Sequence, residues 1–219
     1  MDALTPLLPL LGQSTVETLV MVLLTLLFGG LGGLLMGLGL YLTRASSLLP
    51  NRAVFAVLNV VVNTFRPIPF VIFLFAVQPL ARAVTGSGIG QPAVIFTLSL
   101  GASFAISRIV EQNLLTVQPG VIEAARSVGA SPVRIIFTLL IPEALGPLIL
   151  GYTFVFVGIV DMTAVAGAIG AGGLGNFAIV YGYRQFEPVV TWAAVLIIIV
   201  LVQVVQLIGN RMARAALRR

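Results

Sequence analysis

Long apolar runs, broken by few charged residues, are the feature that most constrains how this sequence can fold. Only 9% of its 219 residues are charged, and the mean hydropathy is +1.13. About 20 apolar residues are the length that an α-helix needs to cross the ~30 Å hydrocarbon core of a bilayer. The pattern therefore predicts an all-α, polytopic membrane protein with five spans, at about residues 16–42, 53–77, 92–110, 144–167 and 189–208.

Small residues recur at four-residue spacing in two of these spans. The first span carries a doubled GxxxG pattern, and the third carries serines at the same spacing: Gly29, Gly33 and Gly37, then Ser99, Ser103 and Ser107. Small residues four apart on one face allow transmembrane helices to approach closely. The glycines therefore favour helix packing over a functional hinge.

The second span contains the sequence Arg66-Pro67-Ile68-Pro69. Two prolines remove backbone donors and should kink the helix. Such a break at membrane depth is tolerated where protein or a water-lined cavity satisfies the backbone. Pro67 and Pro69 are therefore candidates for shaping a helix that lines a pathway. Residues 79–91, which are rich in glycine and serine, are predicted to form a loop.

Asp161 is the only acidic residue deep inside a predicted span. Ionisable groups at that depth usually face a cavity or a partner and are functional candidates by default. Arg66 and Arg108 are possible partners of opposite charge. A structural ion pair and a role in the substrate path both remain open for Asp161.

A glycine-rich segment follows the fourth span, and Gly170, Gly172 and Gly175 match the G-x-G-x-x-G pattern. Dinucleotide sites place this pattern after a strand of a βαβ unit. Here an apolar span precedes it, so we predict a flexible re-entrant or extracytoplasmic loop instead.

The chain contains no cysteine, histidine or lysine, and its twelve basic residues are all arginine. A Walker A loop requires lysine, a thiol nucleophile requires cysteine and a Ser-His-Asp triad requires histidine. The sequence therefore excludes these three kinds of site in this chain. The net charge of +5 is explained by basic cytoplasmic loops rather than by nucleic-acid binding.

The arginines also predict the orientation of the chain. Five spans put the termini on opposite sides of the membrane. One side carries most of the arginines outside the spans, and the other carries only two: Arg44, Arg52, Arg126, Arg134, Arg211, Arg214, Arg218 and Arg219 against Arg82 and Arg184. The positive-inside rule places the N-terminus outside and the C-terminus in the cytoplasm.

One polar segment, residues 122–143, would then lie on the cytoplasmic side. Pro119 suits a first helical turn, and Glu123 should lie near the positive end of that helix. Ala124 and Ala125 offer a surface with almost no bulk, to which another protein could approach closely. A docking element and an ordinary inter-helix loop both fit these residues.

The end of this short helix and the start of the next can also be read locally. Gly129 can adopt the left-handed conformation that ends a helix. Ser131 is a candidate N-cap, and Pro132 fits the first position of the following helix.

The segment resembles the EAA loop of ABC importer permeases. In that family Glu-Ala-Ala is followed after three residues by Gly and after nine more by Ile-x-Leu-Pro. This sequence keeps the spacing, with Leu139-x-Ile141-Pro142 as the last element.

A longer resemblance, from about residue 17 to the tail, is to the methionine importer permeases. It includes Asn63-x-Phe65-Arg66-x-Ile68-Pro69-Phe70, Arg108-x-Val110-Glu111, and the glycine-rich segment 167–175 followed by Tyr181-Gly-Tyr183. Asp161 stands where a neutral residue is expected in those relatives.

The resemblance implies a single permease domain over residues 1–219, with a coupling loop at about 112–143. It implies a homodimer in a bacterial inner membrane, two cytoplasmic ATPase subunits that bind ATP and magnesium, and an extracytoplasmic methionine-binding protein. The chain itself would be non-catalytic and hold no cofactor or metal. Its coupling residues would be Glu123, Ala124, Ala125, Arg126, Gly129 and Pro142. From the proline break and the fourth span, we also expect Arg66, Pro67, Pro69, Asp161 and Val165 to be pathway residues.

Two other functions remain open. The EAA loop is common to importers of many substrates, so another small amino acid or an osmolyte could be the cargo. A passive channel or membrane scaffold would explain the composition but not the spaced Glu-Ala-Ala, Gly and Pro residues.

Overall fold

The computed structural model describes residues 4–217, and every regular element in that part of the chain is helical. Arg218 and Arg219 lie outside the described residues. The α-helices are α1 Leu8–Thr43, α2 Arg52–Phe65, α3 Phe70–Thr85, α4 Gln91–Leu114, α5 Pro119–Ser127, α6 Pro132–Ile135, α7 Ile141–Ala166, α8 Gly173–Phe177 and α9 Pro188–Leu217. Wider, π-helical turns occupy Ile136–Leu140, Gly167–Ala171 and Ala178–Tyr183.

Four continuous helical segments between residues 4 and 217 are long and apolar enough to cross a membrane: Thr5–Thr43, Gln91–Leu114, Pro132–Ala171 and Pro188–Leu217. Helices α2 and α3 satisfy the same criterion only as a pair, which is bent by 116° at the break between them. The prediction of five membrane-spanning segments agrees with the fold when this pair is counted as one broken span.

One predicted boundary was wrong. Residues 79–85 are not a loop, because α3 continues to Thr85 with Pro79 inside it. A proline within a helix forfeits one hydrogen bond but need not end the helix when the rest of the turn is packed. The turn is confined to residues 86–90, where Gly86 and Gly90 have φ of 79° and 85°. The helix that contains the fourth predicted span begins before residue 144, at Pro132.

Helices α1 and α4 run parallel and lie in close contact along the glycine face of α1. A Cβ at Gly29 would come within 2.8 Å of the Ser99 carbonyl oxygen, and one at Gly37 within 2.6 Å of the Ser107 carbonyl oxygen. The serine face of α4 therefore packs on the glycine face of α1, which confirms the predicted packing role. The hydroxyl of Ser103 donates to the Ser99 carbonyl at 2.7 Å and also reaches the Gly29 carbonyl at 3.2 Å.

Helix α7 runs antiparallel to this pair and contacts both members. The Tyr152 hydroxyl donates to the Gly30 carbonyl of α1 at 2.8 Å. The Asn113 amide of α4 donates to the Pro147 carbonyl at 3.1 Å. Helix α9 packs on the far side of α7, where Gly209 lies against Thr153. The N-terminal end of α1 and the C-terminal end of α9 thus lie at opposite ends of the bundle.

The glycine-rich segment after α7 folds back into the bundle and is held by α1. The Glu17 carboxylate accepts a hydrogen bond from the Gly173 backbone N–H at 2.8 Å, and the Thr18 hydroxyl accepts one from Leu174 N–H, also at 2.8 Å. Gly172 and Gly173 have φ of 84° and 77°. A Cβ on either glycine would lie 2.7 Å from these α1 side chains.

This arrangement corrects the prediction of a flexible loop. Gly173, Leu174, Gly175 and Phe177 are all buried. A Cβ at Gly175 would overlap the backbone of Ala164 on α7. The glycines therefore allow tight packing and left-handed turns, and they form neither a nucleotide-binding loop nor a free one.

Gly33→Ala should destabilise the α1–α4 pair, because its Cβ would lie 2.5 Å from the Ile106 Cβ. Overpacking of this kind costs about 1–3 kcal/mol. Gly12→Ala is the matched control on the same helix, since nothing lies within 4 Å of its added Cβ. We expect a lower thermal midpoint in detergent for Gly33→Ala alone. Equal midpoints for the two variants would contradict the close contact.

Thr18→Val should loosen the glycine-rich segment without changing the shape of the side chain. It removes the acceptor of the Leu174 N–H, and leaving a buried donor unpaired costs about 1–3 kcal/mol. Thr15→Val is the control, because the Thr15 hydroxyl bonds only to its own helix, at the Leu11 carbonyl. Amide exchange of Leu174 should accelerate in Thr18→Val and stay unchanged in Thr15→Val. Unchanged exchange in both variants would refute the role of Thr18.

Candidate functional site

Helix α5 presents an outward face of small and polar residues at the end of the bundle where α1 and α4 terminate. Ile122 and Ala125 pack against the main core, whereas Glu123 and Ala124 are exposed. The side chain at 124 is only a methyl group, so another protein could approach the helix backbone closely. Glu123 and Ala124 are therefore accessible to a partner, and Ala125 is held partly against the bundle.

A left-handed glycine ends α5, as predicted. Gly129 has φ of 78°, and nothing lies within 4 Å of a Cβ built there. The N–H of Gly129 donates to the Arg126 carbonyl at 2.9 Å, and the N–H of Ala130 donates to the Ala125 carbonyl at 3.1 Å. These bonds satisfy carbonyls that the helix end would leave free. Only the backbone conformation, and not the space around it, requires glycine at this position.

The next helix begins as predicted, but the placement of Glu123 was wrong. Ser131 is the N-cap, and its hydroxyl accepts a hydrogen bond from the Arg134 N–H at 3.4 Å, with Pro132 in the first turn. Helix α5 starts at Pro119, so its first turn contains no acidic residue. Glu123 is the fifth residue, and the helix dipole acts mainly within the first turn. Its carboxylate is therefore free to interact with a partner rather than with its own helix.

Pro142 lies inside a continuous helix rather than at the start of one. The turn Ile136–Leu140 joins α6 to α7, so helical structure runs from Pro132 to Ala171. A proline ring displaces the carbonyl four residues earlier in an α-helix. A π-helical turn one residue wider accommodates that displacement. Pro142 is exposed, and it lies where the polar segment enters the membrane-spanning part of α7.

Arg126 connects α5 to the turn between α1 and α2. Its Nη2 donates to the carbonyls of Ser47 and Leu48, at 3.3 and 3.5 Å. Arg126 and Glu123 line a cavity of about 310 Å³ together with Arg44, at the end of α1. The coupling segment therefore includes residues of the 44–51 turn that are distant in sequence.

A cluster of polar side chains lies next to the 44–51 turn. The Glu111 carboxylate is buried, at 3% exposure, and it pairs with Arg108 at 2.5 Å and with Arg44 at 3.4 Å. Arg108 also donates to the side-chain oxygens of Asn59 and Asn63 on α2, the latter at 2.7 Å. Glu111 thus joins the end of α1 to α4, and Arg108 extends the cluster to α2.

The sequence did not predict this cluster, although Arg108-x-Val110-Glu111 was part of the resemblance and Arg108 was considered as a partner of Asp161. Two features of the sequence pointed to polar contacts here. Arg108 and Glu111 lie three residues apart at the end of an apolar helix, and Asn59 and Asn63 lie four apart on one face of α2. Nothing in the sequence indicated that the two pairs would meet, since about 45 residues separate Arg108 from Asn63.

The predicted pathway break lies between α2 and α3. Arg66, Pro67 and Pro69 are exposed there. Beside the break, the Phe65 ring stacks on Phe104 of α4 at 5.2 Å. The prolines therefore produce a sharp corner rather than a kink, and aromatic contacts attach that corner to α4.

Asp161 lies on an exposed face of α7 and has no oppositely charged partner among residues 4–217. Both ion pairs in that part of the chain involve Glu111, so the predicted pairing of Asp161 with Arg66 or Arg108 does not form. Val165 follows one turn later and is half-buried. Phe154, two turns earlier, is 75% exposed. Asp161 and Val165 thus share one side of α7, while the Arg66–Pro69 corner belongs to other helices.

Comparison with known proteins gives consistent matches along the chain. A probable D-methionine transport system permease protein MetI of Vibrio cholerae is 38% identical over 94% of this chain and 91% of its own length. The methionine import system permease protein MetP of Bacillus subtilis is 42% identical, over 78% of this chain and 77% of its own.

A solved structure of the MetNI methionine ABC transporter in inward-facing conformations contains a similar chain. The two superpose with a TM-score of 0.93 at 37% identity, over 97% of this chain and 98% of that one. Residues 29–219 match the family described as binding-protein-dependent transport system inner membrane component. This chain is a member of that family.

Proposed function

We propose that this chain is the permease subunit of an ATP-driven importer that carries methionine across the inner membrane. The observation that carries the proposal is the outward face of α5, with Glu123 and Ala124 exposed and Gly129 ending the helix. This surface suits docking to a second protein, and the chain has no lysine for a Walker A loop of its own. The names of the MetI and MetP relatives support methionine as the cargo.

In the proposed orientation, α5 faces the cytoplasm. The end of the bundle that carries α5 also carries most of the arginines outside the spans: Arg44, Arg52, Arg126, Arg134, Arg211 and Arg214. The opposite end carries Arg82 and Arg184. This asymmetry supports a cytoplasmic α5 and an extracytoplasmic glycine-rich segment by the positive-inside rule.

Two copies of the chain would form the pathway, with two ATPase subunits beneath them. A carboxylate exposed to lipid is costly, so the unpaired Asp161 supports coverage of that side of α7 by a second copy or an aqueous cavity. In this arrangement Val165 contributes to an apolar constriction that can gate by dewetting. Arg66, Pro67 and Pro69 shape the pathway from the α2–α3 corner.

Coupling would proceed through α5 in a cleft of the ATPase. ATP binding closes the ATPase and displaces α5, and the spans then change from inward-facing to outward-facing. A ligand shifts such an equilibrium only through different interactions with the two states. ATP and the substrate-loaded binding protein therefore favour the same outward-facing arrangement, and hydrolysis by the partner releases it.

Reconstitution of the chain with its ATPase and binding protein tests the proposal. We expect ATP-dependent uptake of labelled methionine into vesicles, in excess of uptake of other amino acids and of osmolytes. Uptake of another compound in preference to methionine would reject the substrate. Uptake that is independent of the ATPase would reject the importer and favour a passive channel.

Gly129→Val should uncouple ATP hydrolysis from uptake while leaving membrane insertion intact. A β-branched residue is strained at φ of 78°, so the helix end must change shape. Gly129→Asn is the matched control at the same position, because asparagine adopts the left-handed conformation far more readily than valine. Glu123→Lys should uncouple as well, by reversing the charge on the docking face. Normal uptake by Gly129→Val and Glu123→Lys would refute the coupling role of α5.

Asp161→Asn should lower the rate of uptake without lowering the thermal midpoint of the permease, since no ion pair within residues 4–217 is lost. One charge-assisted hydrogen bond to a substrate ammonium contributes about 1.5–3 kcal/mol. Its loss corresponds to a roughly tenfold or larger fall in uptake. Asp161→Glu, which keeps the charge, is the control. Unchanged uptake with a lower midpoint would instead indicate a structural role for Asp161.

A further inference from the structure

Helix α2 packs one apolar face against Leu40 of α1 and the aromatic rings of α3 and α4. Only Val62 is buried among its residues Arg52–Phe65. Val57 and Val60 on its other face are 64% and 62% exposed. Polar contacts of α2 therefore add to an apolar contact that is confined to one side of the helix.

Beside this apolar face, Arg108 of α4 makes a polar contact with α2. The guanidinium bridges Asn59 and Asn63, one helical turn apart on α2, and its other nitrogen binds the Glu111 carboxylate. The Arg108 side chain is only 15% exposed and that of Glu111 only 4% exposed. Charge-assisted hydrogen bonds are stronger in such partly water-free surroundings. These bonds therefore tie the position of α2 to that of the ion pair.

The same carboxylate reaches towards α5. Its second oxygen pairs with Arg44, the residue that ends α1. Arg44 begins the turn whose carbonyls at Ser47 and Leu48 accept hydrogen bonds from Arg126 of α5. A continuous series of polar contacts thus runs from α5, through the 44–51 turn and Glu111, to α2.

We propose that this series is a mechanical connection through which displacement of α5 moves α2 and the proline corner beyond it. Arg126, Glu111, Arg108, Asn59 and Asn63 are then positioning residues for transport. The inference rests on the proposed function for α5 and extends it. Helix α7 follows the polar segment directly in the chain, whereas α2 is joined to α5 only through these contacts in space. The connection gives the ATPase a second route to the pathway, which ends at Arg66, Pro67 and Pro69.

The test replaces the two acceptors on α2 and leaves the ion pair intact, in the variant Asn59→Leu/Asn63→Leu. Val57→Leu/Val60→Leu, on the exposed face of the same helix, is the matched control. Both variants are reconstituted with the ATPase and binding protein, and methionine taken up per ATP hydrolysed is measured. We expect this ratio to fall about fivefold or more in the asparagine variant, the usual lower range of an allosteric coupling. ATP hydrolysis by the complex should stay at the control value, and both variants are compared at a temperature well below the thermal midpoint of each. A ratio equal to that of the control would overturn the proposal.

A second measurement decides whether the contacts act in series. Arg126→Ala is combined with the asparagine variant, and the loss in the ratio is compared with the two separate losses. Contacts in one series give a combined loss no larger than that of Arg126→Ala alone, whereas independent effects multiply. Multiplying losses would refute the connection.

The single variant Asn63→Asp, which keeps an acceptor for Arg108, should keep the wild-type ratio of methionine taken up per ATP hydrolysed. A lower ratio in this variant would count against the connection as well.

Spin labels separate this inference from the proposed function. The chain has no cysteine, so Val57→Cys and Leu207→Cys can be labelled without background. We expect the distance between α2 and α9 to change on ATP binding in the labelled wild-type background and not in the asparagine variant. If the distance changes in this way but methionine is not taken up, methionine is rejected as the substrate and the connection between α5 and α2 is retained. An equal change in both backgrounds would reject the connection even if methionine is imported.

Discussion

The glycine contact between α1 and α4 is the constraint on which the rest of the bundle depends. Without Cβ atoms at Gly29, Gly33 and Gly37, the two helices lie close enough for the serine hydroxyl of α4 at Ser103 to reach a carbonyl of α1. Apolar burial gives little net attraction between helices in lipid, so packing of this kind is the main source of association. Helix α7 then binds to both helices of the pair, through Tyr152 and Pro147.

The α1–α4 pair fixes structure at both of its ends. At the end near Glu17 it accepts the backbone N–H groups of the glycine-rich segment, which would otherwise be buried without partners. At the other end Arg44 and Glu111 bring together the turn beneath α5 and the polar face of α2. A rigid parallel pair with α5 and α2 attached by polar contacts is suited to converting movement at one surface into rearrangement of a helix.

Local rules predicted local features well. Gly129, Ser131 and Pro132 have the conformations that capping preferences indicate, since a helix end depends on a few neighbouring residues. The rules failed where tertiary contacts decide the outcome. Helix α3 continues through Pro79, and the glycine-rich segment is packed tightly because α1 supplies its hydrogen-bond acceptors. The charge of Asp161 suggested an ion pair, but its side of α7 faces neither Arg66 nor Arg108.

The sequence by itself determined the helical class, the approximate positions of the spans, the glycine face of α1 and the turn after α5. Each of these follows from the length of an apolar run or from the steric properties of one residue type. Only the tertiary structure decided that α2 and α3 meet at 116°, that Arg126 contacts the 44–51 turn and that Glu111 joins two arginines. These contacts join residues far apart in the chain, and their formation depends on how the helices pack, which no local spacing encodes.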